Sequence, residues 1–259
     1  MSLKIAIGGK GGVGKTTITA LLARCLAVDK NNKVIAIDAD PVANLAAGLG
    51  IPEDKPITPI SELTELIAER TGATPGTMGG FFTLNPKVDD IPDRFSLEKD
   101  GVKLLVMGTV QSGGSGCICP ESTILKALMN HLVLVRDDIV IMDMEAGVEH
   151  LGRATSASVD ALIIVVNPGA RSRAAAGKIK KLGKDIGIKK ILVLGNRIKG
   201  PEDETLIRES LSEFEIIGFI PEQDNIVESD RAGKRAFEDI THAPKELFDV
   251  VEKLSSMKN

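Results

Sequence analysis

The chain has 259 residues, is 43% hydrophobic and 26% charged, carries a formal net charge of −4, and contains neither Trp nor Tyr. That length and apolar content suffice for one large α/β domain, and the acidic balance and scarce aromatic platforms argue against a general nucleic-acid binder. No apolar run is long enough to cross a bilayer, the first strand-like run starts at Leu3 so that no signal peptide is expected, and the three cysteines make no disulfide framework. A reduced, cytoplasmic protein is expected.

Short apolar runs recur along the chain at Leu3–Ile7, Val34–Ile37, Val102–Met107, Ile139–Met142, Ala161–Val166, Ile191–Leu194 and Ile216–Ile220. Most are continuous rather than alternating, which is how strands buried on both faces of a mostly parallel sheet read. Helical spacing fills many gaps: Lys15–Val28, Ser61–Arg70, Glu121–Val135, Arg171–Ile186 and Glu202–Glu213. Strand and helix in alternation predict a central sheet flanked by helices on both faces, in a single domain spanning residues 1–259. An irregular insertion covers about 71–100, within which Lys99-Asp100-Gly101 is a hairpin signal inside 94–107. Near the C-terminus, Leu247, Val250, Val251 and Leu254 lie at helical spacing over Pro244–Asn259, with acids and bases mixed on the polar face. A helix packed on the domain is expected there rather than a membrane-surface helix.

The first strand-like run leads into Gly-Gly-Lys-Gly-Gly-Val-Gly-Lys-Thr-Thr at residues 8–17. Gly9 to Thr16 fits the phosphate-binding pattern G-x-x-x-x-G-K-[ST] between a strand and a helix. Gly9, Gly11, Gly12 and Gly14, around Val13, permit backbone angles that bring N–H groups to phosphate oxygens, and the helix N-terminus after Lys15, Thr16 and Thr17 adds its dipole. Lys15 supplies a point charge for the β/γ-phosphates, and the Thr16 hydroxyl suits Mg²⁺. Lys10 is a second cation on the same short loop. It is hard to aim at the same phosphates and is well placed for a nucleotide held by another subunit, so the loop predicts a nucleoside triphosphate, Mg²⁺ and a face-to-face dimer. Asp38 and Asp40 end the second strand-like run, and Asp143 follows the fourth. Carboxylates there face the crevice where α/β sheets bind ligands, and Asp143 occupies the position of an aspartate that holds Mg²⁺.

These residues reach a family. The loop with Lys10, the Asp38-Ala39-Asp40-Pro41 run and the Asp143 segment resemble the deviant-Walker-A P-loop ATPases, the group of MinD, ParA and the nitrogenase iron protein. The resemblance extends over nearly the whole chain and implies ATP hydrolysis. By it, Lys10 contacts the nucleotide across an ATP-sandwich dimer, and Asp40 joins Lys10 and Lys15 in catalysis by positioning the attacking water. Asp38 and Asp143 are the acids around Mg²⁺. Asn196 and Arg197 look like the adenine-recognition stretch, with Asn196 on the base edge, and Pro221 and Glu222 resemble the second adenine-side loop.

A cysteine pair narrows the resemblance. Cys117-Ile118-Cys119-Pro120 follows a glycine-rich stretch. Residues two apart in an extended segment point the same way, so both sulfurs can grip one ion. Pro120 suits the first turn of a helix, and a helix N-terminus favours the thiolate form that binds metals. Two ligands fall short of a tetrahedral site, and a twofold dimer supplies four. The plain alternative makes both cysteines small core residues, as Cys25 is expected to be. Together with Met144–Arg153, the pair closely resembles the CooC-type nickel-insertion ATPases of carbon monoxide dehydrogenase maturation, whose relatives serve acetyl-CoA synthase. That family implies Ni²⁺ as cargo, Zn²⁺ as another occupant, and the apoenzyme as client. The thiolates themselves do not choose among Ni²⁺, Zn²⁺ and Cu⁺. His150 is an extra ligand, a switch-region contact or a plain structural histidine. Two other classes remain open at this point: a positioning or partition ATPase, for which Lys178, Lys180, Lys181, Lys184, Lys189 and Lys190 are the only basic cluster, and an electron-transfer protein with a bridging iron–sulfur cluster.

Overall fold

The computed structural model describes residues 2–29, 31–40, 44–52, 54–55, 57–73, 81–108, 119–144 and 159–257. Each apolar run becomes a strand: β1 (Leu3–Gly8), β2 (Val34–Asp38), β4 (Val102–Val106), β5 (Ile139–Asp143), β6 (Ala161–Val166), β7 (Ile191–Ile198) and β8 (Glu215–Pro221), with β3 (Leu97–Lys99) as an added edge strand. Among the described residues they form one eight-stranded sheet in the order β3-β4-β2-β5-β1-β6-β7-β8. Every pairing is parallel except β3 with β4. That hairpin turns at Asp100 and Gly101, whose φ angles of 50° and 78° are both positive, as a tight turn matched to strand twist requires.

Helices cover both faces. On one lie α1 (Lys15–Ala27), α2 (Leu45–Leu49) and α9 (Lys245–Ser256); on the other lie α3 (Thr64–Thr71), α5 (Pro120–Asn130), α6 (Ala170–Asp185) and α7 (Pro201–Ser210). The alternation of the strands decides which face each residue serves. Leu3, Ile5 and Ile7 of β1 pack toward α1, while Ala6 packs in the opposite core with Ile124, Leu128 and Ile179. In α9, Leu247, Val250 and Leu254 are fully buried, so this helix is packed on the domain as its mixed polar face predicts. Among the described residues no helix is long and apolar enough to cross a membrane.

Several boundaries differ from the sequence reading. The helix expected at Ser61–Arg70 is a 3-10 turn, Ile60–Glu62, and α3, separated by Leu63, whose ψ of 71° is not helical. The expected Glu121–Val135 helix changes winding at His131 to a π turn, His131–Val135. The expected Glu202–Glu213 helix ends at Ser210. Inside the stretch read as irregular, α4 (Ile91–Phe95) packs Ile91 into the core. α2, α4 and α8 (Asp224–Arg231) went unread because each is short or carries too few apolar residues to show a period.

Candidate nucleotide and thiol sites

The chain leaves β1 at Gly8 and enters α1 at Lys15, so the intervening loop caps the carboxyl edge of the sheet. Two glycines are required by close approach. At Gly9 (φ 151°) a Cβ would lie 2.6 Å from the Val165 carbonyl oxygen, and at Gly14 (φ 93°) one would lie 2.5 Å from Asn196 Nδ2. Val13 is buried between them and pins the loop to the core.

The acids meet beneath this loop. β2 and β5 are parallel neighbours in a register that pairs Asp38 with Asp143, and β1 pairs Ile7 with Asp143. The Thr16 hydroxyl donates to Asp143 Oδ2 at 2.5 Å. Asp38 accepts from the backbone N–H of Asp40 at 3.2 Å and of Leu45 at 2.9 Å. Both carboxyls are essentially inaccessible to solvent. Burial pushes Asp38 up to about 6, against the pull of its backbone donors. Burial pushes Asp143 up to about 7, with the Asp38 charge adding to it and Thr16 and Lys15 opposing it. Two buried carboxyls and one hydroxyl are a set of hard oxygen donors, and the one lysine beside them leaves the set short of positive charge. That set fits Mg²⁺, with Thr16 and Asp143 as the residues that would hold it and Asp38 beside them.

A cavity of 480 Å³ runs along the loop, lined by Gly11, Gly12, Gly14, Lys15, Thr16 and Thr17 on one side and by Asp40, Asn44 and Arg197 on the other. Asn196 and Arg197 lie near the end of β7, Pro221 ends β8 and Glu222 follows it; together with Gly14, Thr17 and Ile226 they line a narrow cleft that shares Gly14, Thr17 and Arg197 with the larger cavity. Asn196 was expected on the base edge. Its Nδ2 donates to the Val13 carbonyl at 2.9 Å, so the residue also braces the phosphate loop. The sequence reading missed Asn44 and the segment Ser229, Gly233 and Lys234, which also line the large cavity. The one signal for α8 was charge placement, Asp224 in its first turn and Arg231 in its last.

Lys10 does not line the 480 Å³ cavity. It is exposed on the far side of the loop, in a second cavity of 360 Å³ with Arg171 and Ser172.

Cys117 lies outside the described residues, as do His150 and the rest of the expected switch segment beyond Met144. Cys119 is half-buried and serves as the N-cap of α5: its Sγ accepts from the Ser122 N–H at 3.4 Å, and its own N–H donates to Ser122 Oγ at 3.3 Å. Pro120 takes the first helical position. Because β4 and β5 run the same way, α5, which connects them, starts at the carboxyl edge of the sheet, the edge that holds Asp38 and Asp143. Cys25 is a core residue on α1, and burial pushes its thiol up to about 12. Among the described residues no group of three or more His, Cys, Asp or Glu side chains is placed to hold a metal ion.

Comparison with known proteins adds independent findings. A family model described as the CobQ/CobB/MinD/ParA nucleotide binding domain matches residues 4–236. The chain is 46% identical over 238 residues to the carbon monoxide dehydrogenase accessory protein CooC of Rhodospirillum rubrum, covering 91% of this chain and 90% of that one. It is 43% identical over 261 residues to an uncharacterized ATP-binding protein of Methanocaldococcus jannaschii, covering 99% of each. Among solved structures, the MinD cell division protein of Aquifex aeolicus superposes with a TM-score of 0.66 at 25% identity, over 98% of this chain and 97% of that one.

Proposed function

The chain belongs to the CobQ/CobB/MinD/ParA nucleotide-binding family and is an ATPase of its CooC-like group; from that premise we propose that it works as a homodimer that carries Ni²⁺ and inserts it into apo carbon monoxide dehydrogenase, or into the related acetyl-CoA synthase. The observation that carries this reading is the position of Cys119. The thiol caps the start of α5, the helix between β4 and β5, and β5 and its neighbour β2 carry Asp143 and Asp38 at their carboxyl ends, which supports this reading. A metal held there is within structural reach of the nucleotide state.

In this reading each chain binds ATP in the 480 Å³ cavity. Lys15 and the loop N–H groups hold the phosphates, and Thr16 and Asp143 hold Mg²⁺, which supplies charge neutralisation for phosphoryl transfer when bound. Asp40, on the cavity wall, orients the attacking water. Asn196, Arg197, Pro221 and Glu222 take the adenine side. Lys10 reaches the nucleotide of the second chain, so closure depends on ATP. Cys117 and Cys119 from each chain then provide four thiolates for one ion, which suits Ni²⁺ or Zn²⁺. Nucleotide state changes metal affinity only through its unequal affinity for open and closed dimers.

The test is a client assay: apo carbon monoxide dehydrogenase, Ni²⁺ and MgATP, with and without this chain. Activation that needs the chain, ATP and both cysteines supports the reading. Equal activation by free Ni²⁺ contradicts it.

A further inference from the structure

Beyond the phosphate loop and α1, the 480 Å³ cavity has two further walls. Asn44 and Gly48 belong to the α2 side, and Gly233 and Lys234 to the chain that follows α8. The first wall is pinned at two points. The Leu45 N–H donates to Asp38 at 2.9 Å, and Gly48 lies so near α1 that a Cβ would stand 2.9 Å from the Ala20 methyl. The second wall turns at Gly233 (φ 61°), where the Lys234 N–H closes onto the Ser229 carbonyl at 2.9 Å.

At this turn two neighbouring cations take different directions. Lys234 lines the nucleotide cavity, whereas Arg235 lines a separate cavity of 290 Å³ with Arg24, Asp100 and Glu238. The stem of Arg235 lies across the end of α2: at Gly50 (φ 75°), its C-cap, a Cβ would stand 2.5 Å from Arg235 Cδ and 3.0 Å from Nε. The guanidinium is held from two sides. Nη1 donates to Asp100 Oδ2 at 2.6 Å, in the β3–β4 turn, and Nε donates to Glu238 Oε2 at 3.0 Å, joined there by Nη2. One side chain therefore belongs to one wall, rests on the other, and ties both to a hairpin outside the cavity.

Stability does not account for this clamp. The Asp100 and Glu238 side chains are 46% and 85% exposed, and ion pairs so open to water contribute little. What a forked guanidinium supplies is direction. A wall fixed before the ligand arrives loses no freedom on binding, and that tightens the complex.

We propose that Arg235 is a positioning residue for ATP: it holds α2 and the Gly233-Lys234 turn at the spacing the nucleotide needs, and Asp100 and Glu238 aim it. The inference rests on ATP occupying the 480 Å³ cavity and adds residues that line a different one.

ATP hydrolysis as a function of MgATP concentration, with thermal unfolding on the same samples, tests this in wild type, Arg235→Ala, Arg235→Lys, Asp100→Gly and the Asp100→Gly/Arg235→Ala double variant. Glycine suits the φ of 50° at residue 100, so Asp100→Gly removes the carboxylate and keeps the turn. Buried Arg24 feels the charges of both Asp100 and Glu238, so these acids keep a counter-charge without Arg235 and Arg235→Ala should fold. Arg235→Ala should raise KM about tenfold and change kcat by less than about twofold, the pattern of lost ground-state binding. Arg235→Lys keeps the stem and one charge and should recover part of the loss. Asp100→Gly should raise KM by less, and the double variant should match Arg235→Ala, because the pair acts as a unit. Wild-type KM in Arg235→Ala, whatever kcat does, overturns the role of Arg235, as does an Asp100→Gly effect that adds in full to that of Arg235→Ala. If Arg235→Ala does not fold, Asp100→Gly decides, and wild-type KM there overturns the proposal. Lys15→Ala is the control for the cavity: wild-type kinetics in it would remove the premise, whereas lost hydrolysis in it beside wild-type KM in Arg235→Ala removes only the proposal.

Discussion

The nucleotide site and the thiol site share one edge of the sheet but are built to different degrees of completeness. At the nucleotide site, each described acid at a strand end already has a partner within the chain: Asp143 the Thr16 hydroxyl, Asp38 the N–H groups of Asp40 and Leu45. Loop, strands and helix fix the geometry before any ligand arrives. Cys119 by contrast is half-buried; its backbone is tied to Ser122 and Thr123, but its thiol has one long contact, from the Ser122 N–H. The difference teaches that the phosphate loop and its acids are preorganised within one chain, whereas the described part of the thiol segment offers a single sulfur.

The largest expected effect breaks the finished half. Lys15→Ala removes the buried cation of the phosphate loop, and steady-state ATP hydrolysis should fall by about 10²–10³-fold, the usual cost of deleting one preorganised charge-stabilising donor. A variant retaining wild-type turnover would show that phosphate binding lies elsewhere. Next, Gly14→Ala puts a methyl 2.5 Å from Asn196 Nδ2 at φ 93°. Thermal unfolding should show a loss of about 1–3 kcal/mol, and nucleotide binding should weaken with it. An unchanged melting curve would mean that the Asn196–Val13 brace yields freely.

The third prediction concerns pH. Asp38 and Asp143 sit above the ordinary carboxylate range in the fold because they are buried. A group raised on folding adds stability below its unfolded value, near 4, and that contribution is lost as pH climbs through its folded value. The nucleotide-free protein should therefore melt at a higher temperature at pH 5.5 than at pH 8, and Asp143→Asn should shrink the gap. The acids lowered by ion pairs or backbone donors, such as Asp93 and Asp239, titrate below this window. MgATP should stabilise most at the alkaline end, where both acids are ionised. A wild-type melting temperature flat across that range would contradict the burial argument. The smallest structural effect belongs to the unfinished half. Cys119→Ser keeps an N-cap acceptor for Ser122, so stability should change by no more than about 0.5 kcal/mol. Thiol-dependent metal binding should nevertheless disappear. A large drop in stability instead would make Cys119 a structural residue.

The same contrast explains what could be read without coordinates. The loop from Gly9 to Thr16 is a contiguous pattern with a local physical meaning, and the strands are continuous apolar runs, so sheet, helical layers and phosphate loop were legible. What was not legible depends on contacts across the chain. Nothing near Val13 announces that Asn196 braces it from 183 residues away, whereas Thr16 and Asp143, 127 residues apart, were both expected at Mg²⁺ and do meet. α8 and the Gly233-Lys234 wall of the cavity were missed because Asp224–Arg231 has only Ile226 and Val227 as apolar residues. The cap at Cys119 was half legible. Pro120 marked the helix start, but sulfur is an uncommon cap acceptor, and only the distance to Ser122 reveals it.

The most direct test of the central claim is anaerobic nickel binding by the full chain with MgATP analogue, with metal content and sedimentation measured on the same samples and Cys117→Ser/Cys119→Ser as the comparison. The account predicts about one Ni²⁺ per two chains, in a dimer, lost in the double variant. One ion per monomer, or equal binding by the double variant, would contradict it.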